Sequence, residues 1–354
     1  MPGPEPHLSV VHVVVTDEFA GVERYICQVA NQLAARGHDV ATIGGDPQRM
    51  RTELDGNVHN LPAPTLLRAA RAVAGQRGAD LIHVHMTAAE GAAWLARPRQ
   101  RAPIVATRHF ARDRGSSTTA RWLARITSRA VTSDIAISQF VADSITGPSV
   151  LIPNGVSDHP QADLESTQVV MLQRLDTEKA PEVGIRAWAI SGLGDEGWRL
   201  VIAGKGELRP ALARLVDDLD VAGSVDLVGH VADTDRLLTG SSLLLAPAPA
   251  EPFGLSVVEA MAHGIPVIAA RGGAHVETVG EDGDLFAPGD PTEAAAALVR
   301  LGRDAALRRR VGARLRQRQQ DMFSLPRHVD RLEELYRQVV DDRRGTGPAL
   351  DASG

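Results

Sequence analysis

At 354 residues the chain is long for one open sheet and comfortable for two domains, and its 44% hydrophobic content lets each half bury a core. Only 3% is aromatic, so Leu, Val, Ile and Ala must do the packing. A net charge of -6 argues against a general nucleic-acid binder, and a single cysteine, Cys27, excludes an intrachain disulfide or a cysteine-based metal cluster.

In chain order, short Val/Ile runs alternate with Ala/Leu/Arg stretches of helical period, the pattern of βαβ units and parallel sheets. The first half predicts strands at Leu8–Val15, His38–Ile43, Asp80–His85, Pro103–Thr107, Asp134–Ile137 and Val150–Ile152. Helices are expected at Val22–Ala35, Thr65–Val73, Ala88–Leu95, Thr119–Ser128 and Gln139–Ser144. Pro153-Asn154-Gly155 is a turn signal, and the polar stretch Ser157–Thr167 is the expected linker. A second series predicts strands at Val169–Leu172, Arg199–Ala203, Ser224–Val228, Leu243–Leu245, Pro266–Ala269 and Asp284–Phe286. It closes with helices at Pro291–Leu301, Ala305–Gln319 and Pro326–Val340, then a Gly/Pro/Ala-rich tail expected to be disordered from Arg343. The expected class is therefore α/β, with two doubly wound Rossmann-like domains (1–160 and 161–325) facing a cleft that suits a nucleotide and a second substrate. No apolar run approaches the ~18 residues of a membrane span. The N-terminus lacks the basic start of a secretory signal, so a cytoplasmic protein is expected.

Candidate chemistry lies in the loops after the strands. Gly21 opens the first helix and would let backbone approach a ligand closely. His12, His83 and His85 lie within strands and read as packed core histidines, whereas His109, just past a strand, is placed to meet a ligand hydroxyl. Nine arginines between Arg97 and Arg129 face only Asp113 in that stretch, which suggests a basic patch for an anionic acceptor or membrane surface, or a solvated face. Arg174 and Lys179 could neutralise a diphosphate, or could be paired locally by Asp176 and Glu178. Gly204-Lys205-Gly206 follows a strand but is no complete dinucleotide or P-loop fingerprint. Three Asp-x-Asp pairs, at Asp218, Asp233 and Asp282, sit at helix ends or turns, and no metal is expected of them. The most informative stretch runs from Glu251 to Glu259, two carboxylates seven residues apart around a helix start. It combines Phe253, Gly254 and Leu255 with free helix N-terminal amides that attract phosphate or sugar oxygens. The arginines from Arg308 to Arg318 are expected to form a solvated helix face.

Together these pieces resemble family 4 of the retaining glycosyltransferases, the "glycosyl transferases group 1" set with the GT-B fold. The residues that carry the resemblance are Ala20-Gly21-Val22-Glu23, Ile152-Pro153-Asn154-Gly155-Val156, Arg174 to Lys179, Gly204-Lys205-Gly206, Val228-Gly229-His230-Val231, and Glu251 to Glu259 with its Glu-Ala-Met-Ala-x-Gly-x-Pro-Val continuation to Gly272-Gly273. The resemblance implies a nucleoside-diphosphate sugar as donor and a glycan, lipid or small molecule as acceptor, without a metal or other cofactor. It implies that Arg174 and Lys179 hold the diphosphate, that Glu251 binds the donor sugar, and that Glu259 binds the ribose. The backbone at Phe253, Gly254 and Leu255 would contact sugar and phosphate, with Gly21 and Gly204 beside the donor and His109 on a hydroxyl of the transferring sugar. The helix from about Pro326 to residue 342 would cross back to the N-terminal domain. Ala20 and Leu172-Gln173 depart from glycines usual in the family, which bears on turn shape. Two alternatives share the fold: a sugar-nucleotide 2-epimerase, and a non-catalytic relative that binds a sugar nucleotide.

Overall fold

A computed structural model describes residues 7–111 and 126–345 of the chain. It divides into two compact units, Met1–Ile152 with Pro326–Gly354, and Pro153–Leu325. The expected boundary near residue 160 is therefore corrected. Residues after Ile152 are tied to the second unit: Val156 N–H donates to the Phe323 carbonyl, Ala162 to His263 and Asp163 to Thr239.

Among the described residues the first unit holds a parallel sheet in the order β3-β2-β1-β4-β5-β6-β7. Its strands are β1 Ser9–Val13, β2 Asp39–Ile43, β3 His59–Leu61, β4 Leu81–His85, β5 Ile104–Arg108, β6 Ser133–Ala136 and β7 Val150–Leu151. Helices cover the faces of such a sheet, so its central strands read as apolar runs, and β4 is buried at every position. The core is aliphatic and fine-grained. Val11, Ile82, Val84 and Ile104 pack against Ala69, Ala89, Ala92 and Ala93 from the helices Leu66–Gly75 and Met86–Ala96. Alanine on those helices lets them lie close to the sheet and to each other.

The helix Leu325–Arg344, one turn longer at its end than expected, belongs to the first unit. Val329, Leu332 and Tyr336 are fully buried. Around them, Glu333 Oε1 lies 2.5 Å from His38 Nε2, and Arg36 donates to Asp330 at 2.6 Å and to the second Glu333 oxygen at 2.5 Å. The disordered tail expected from Arg343 lies, beyond residue 345, outside the described residues.

The second unit has the sheet order β10-β9-β8-β11-β12-β13. Its strands are β8 Gln168–Leu172, β9 Arg199–Ala203, β10 Val225–Gly229, β11 Leu243–Ala246, β12 Val267–Ala270 and β13 Asp284–Phe286. All the pairings are parallel. The helix Ala305–Met322 corrects one expectation. Arg308 is only 5% exposed and donates to the carbonyls of Leu164, Leu301 and Gly302, with its guanidinium 5.2 Å over the Trp198 ring. It thereby closes the carbonyl end of the helix Pro291–Arg303, whose last C=O groups have no partner within their own helix. Arg316 and Arg318 also turn inward, onto the carbonyls of His159, Thr278 and Glu277.

The expected basic patch is likewise reduced. Arg108 is largely covered, in an ion triad with Glu90 and Asp134, and Arg97 donates to the carbonyls of Ala102 and Ala130. Arg112, Arg114, Arg121, Arg125 and most of the helix expected at Thr119–Ser128 lie outside the described residues.

Candidate active site

In each sheet the strand order reverses direction once, between β1 and β4 in the first unit and between β8 and β11 in the second. Helices leave to opposite faces at such a point, so the loops beyond the strands' carboxyl ends part and leave a crevice for a ligand.

In the second unit those two loops run from Gln173 to Lys179 and from Pro247 to Gly254. Lys179 Nζ reaches Glu251 Oε2 at 2.5 Å across the reversal, with the side chains 16% and 14% exposed. Lys179 ends a 3-10 turn, Thr177–Lys179, and the next residue, Ala180, is left-handed at φ 44 before Pro181 starts a helix. A non-glycine residue in that conformation is strained, and the strain here aims the lysine. Gln173 Nε2 donates to the Lys179 carbonyl at 3.1 Å and holds the turn. Arg174 behaves differently. It is 61% exposed and pairs with Asp176 at 2.5 Å and Glu178 at 3.5 Å, the local pairing anticipated as one of its two readings.

Glu251 is fixed through its backbone. Its carbonyl accepts from Ala274 N–H at 2.7 Å, and it forms a bridge with Gly273. A Cβ on Gly273 would lie 2.4 Å from Glu251 backbone atoms, so the Gly272-Gly273 pair exists to let the two loops touch. Gly254, at φ 85, starts the helix Leu255–Ala262, which no side chain caps, so its first amides point at the space beside Glu251. Phe253 is buried, its ring edge-on to Phe323 at 5.8 Å, so only its backbone is available to a ligand. Glu259 lies half-buried on the second turn of that helix. Gly204 and Gly206 serve the fold directly: a Cβ at Gly204 would come within 1.8 Å of the Gln173 carbonyl, and one at Gly206 within 2.1 Å of that of Leu175. They let the loop after β9 support the loop that carries Arg174 and Lys179.

His275 joins this group without having been anticipated. It is 1% exposed, touches the space a Gly254 side chain would fill, and donates from Nδ1 to the Ala270 carbonyl at 3.1 Å. Its Nε2 is buried without a partner. Burial lowers its pKa and Lys179 lowers it further, against the opposing pull of Glu251, so the ring is neutral at pH 7. The Gly272-Gly273 pair just before it was the available signal.

In the first unit, Gly21 is the first residue of the helix Gly21–Ala35. The Ala20 N–H donates to Glu23 Oε2 at 2.8 Å, and no side chain covers the helix's leading amides. His109 sits one residue past β5 and joins a cluster read from sequence only as core packing. His12 on β1 is in register with His83 on β4, and His85 lies two residues on, on the same face. His12 Nδ1 is 3.1 Å from His85 Nε2, and His85 Nδ1 is 3.1 Å from His109 Nε2. His83 meets Tyr336 Oη at 2.5 Å and Thr107 Oγ1 at 2.7 Å, and Tyr25 Oη meets His328 at 2.8 Å. Burial drives His12 and His109 down to about 3, and holds His83 and His85 well below the usual histidine range. All four rings are thus neutral. The residue after His85, Met86, is left-handed at φ 72, a second strained position beside the candidate chemistry.

The model of "Glycosyltransferase Family 4" matches residues 19–159, and that of "Glycosyl transferases group 1" matches residues 166–304. Together they cover more than three quarters of the chain. An exopolysaccharide phosphotransferase of Streptomyces coelicolor is 32% identical over 54% of this chain, which spans only 21% of that protein's length. A D-inositol 3-phosphate glycosyltransferase of Mycobacterium marinum is 28% identical over 95% of this chain and 85% of its own. Among solved structures, HepE of Anabaena, in complex with UDP and glucose, superposes with a TM-score of 0.80 at 20% identity, covering 93% of this chain and 99% of that one.

Proposed function

The chain belongs to the group 1, family 4 glycosyltransferases, with the GT-B fold, and on that premise we propose that it transfers a sugar from a nucleoside-diphosphate sugar to a glycan, lipid or small-molecule acceptor with retention at the anomeric carbon. The observation that carries this reading is the Lys179–Glu251 pair at the strand-order reversal, beside an uncapped helix N-terminus. Sugar–phosphate cleavage leaves a diphosphate and a cationic sugar. An ammonium and oriented amides stabilise the first, and a carboxylate binds the hydroxyls of the second. On this reading Lys179 and Arg174 neutralise the diphosphate and Glu251 shifts its bond from Lys179 to the sugar. Glu259 takes the ribose, and His109 a hydroxyl of the transferring sugar. These charges are already those the leaving group needs, so the mechanism proposed requires no metal. The leaving phosphate then takes the acceptor's proton.

The uridine diphosphate held by HepE supports a nucleoside-diphosphate sugar as donor. Exposed Arg99, Arg101 and Arg129 support an anionic acceptor or contact with an anionic membrane surface, from the cytoplasmic side. No helix among the described residues is long and apolar enough to cross a membrane. The test is a thermal-shift panel of nucleoside-diphosphate sugars, since a ligand that binds only the native state raises its stability. One donor is expected to raise Tm by several degrees. Lys179→Ala and Glu251→Ala are each expected to cut turnover of that donor at least about 100-fold with secondary structure retained. Full turnover in both variants would overturn the assignment.

A further inference from the structure

The line of histidines beneath His109 has one free end, and that end fixes its polarity. Each of the two nitrogen–nitrogen contacts, His12 to His85 and His85 to His109, needs one proton between its atoms. Neutral rings carry one proton each, so only two arrangements satisfy both contacts. In one, His12 and His85 each donate from Nδ1, and His12 Nε2 is left as a bare lone pair. In the other the line runs backwards, and His12 Nε2 carries a proton. His12 is 0% exposed and its Nε2 has no partner. An unpaired N–H buried in that position is the costlier outcome, since orphaned donors are the rarer defect in folded proteins.

We propose that His85, held by His12, is a positioning residue that locks His109 in the tautomer accepting at Nε2 and bearing its proton on Nδ1. His109 then presents a fixed hydrogen-bond donor to a ligand oxygen, and its Nε2 cannot act as a base because His85 occupies it. Nδ1 of His109 makes no hydrogen bond among the described residues. His85 itself has a relaxed extended backbone at φ -121 and ψ 127, and the left-handed residue is the next one, Met86. His12, His83 and His85 also bring one nitrogen each within 4.8 Å of one another. Both His83 nitrogens are already bonded, to Tyr336 and Thr107, so an ion there would have to displace one of them. That His109 meets a sugar rests on the reading above; the tautomer does not.

The experiment is nitrogen NMR of the full chain with its 12 histidines selectively 15N-labelled, and with His109 and His85 assigned through His109→Gln and His85→Asn. The native protein is expected to show His109 protonated at Nδ1 and bare at Nε2, with His85 and His12 also protonated at Nδ1. Protonation of His109 at Nε2 would overturn the proposal, as would a joint shift of the His12, His83 and His85 signals on adding zinc. Asparagine places an amide donor near the position of Nδ1, and leucine places none. His85→Asn is therefore expected to keep the His109 tautomer and to keep kcat for UDP-glucose hydrolysis within about threefold, whereas His85→Leu mixes the tautomers and lowers kcat about tenfold. Equal spectra and rates in the two variants would overturn it. Should His85→Leu fail to fold, the native spectrum and His85→Asn decide. Absence of turnover in every form, with the spectrum as expected, would uphold the tautomer and count against UDP-glucose as the donor alone.

Discussion

Lys179 and Glu251 neutralise each other with most of both side chains covered, so neither can be lost without leaving the other charged and poorly solvated. A ligand that offers phosphate to one and hydroxyls to the other replaces that mutual contact without exposing either charge. Arg308 carries the same logic in a structural role, with a buried cation satisfied by three carbonyls. Arg308→Met is expected to lower unfolding free energy by about 3 kcal/mol, because those carbonyls lose a charged donor inside the protein. Urea titration would register this as a lower midpoint with an unchanged slope, and a midpoint equal to that of the wild type would contradict it. Sequence could not single out Arg308 among its neighbours. Arg309 and Arg310, in the same run, are exposed, and only the depth of the groove beside Leu164 and Trp198 separates them.

Elements, in contrast, were mostly legible. The Val/Ile strands and the long amphipathic helices announced themselves because buried parallel strands and one-sided helices need those periods. The edge strand β3, His59-Asn60-Leu61, escaped because three half-polar residues carry no period. The helix Pro47–Glu53 carries a local signal, Asp46 as cap to the amides of Gln48 and Arg49 ahead of Pro47, but it is too short and too polar to show a hydrophobic period. The loop of Glu251 to Gly254 could be located because charge, glycine and helix start are adjacent in sequence. The histidine line could not be resolved, since His12 and His85 meet only through the register of β1 against β4. At this scale Gly204→Ala tests how the site is supported. An alanine there meets the Gln173 carbonyl and strains a backbone at φ 150. We expect it to destabilise the protein by about 2 kcal/mol or more and to weaken donor binding together with it, because the displaced loop is the one bearing Lys179. Calorimetry should find both losses, and donor affinity unchanged beside a lowered Tm would separate the loop from the site.

For the whole molecule, the buried neutral histidines set an acid limit. A histidine whose folded pKa lies below its unfolded one binds its proton more readily in the unfolded chain. It therefore withdraws stability as pH falls from about 6.5 toward its folded value. His12, driven down to about 3, alone withdraws about 2 kcal/mol by pH 5, and His83, His85 and His275 act in the same direction. Tm is expected to drop steadily between pH 7 and pH 5, less steeply in His12→Leu, and a flat profile would refute this. The helix Leu325–Arg344 has a consequence for biosynthesis. It closes over Tyr25 of the helix Gly21–Ala35 and His83 of a sheet whose last strand ends at Leu151, so the ribosome makes the whole intervening unit before the cover emerges. At about 5–20 residues per second, the earliest-made sheet waits on the order of 10 s with one polar-lined face bare. The unit second in sequence, contiguous from Pro153 to Leu325, is free to fold first. The N-terminal half is then completed from its far end, and a nascent chain stalled before Pro326 would expose that half to proteases and chaperones while its neighbour is already native.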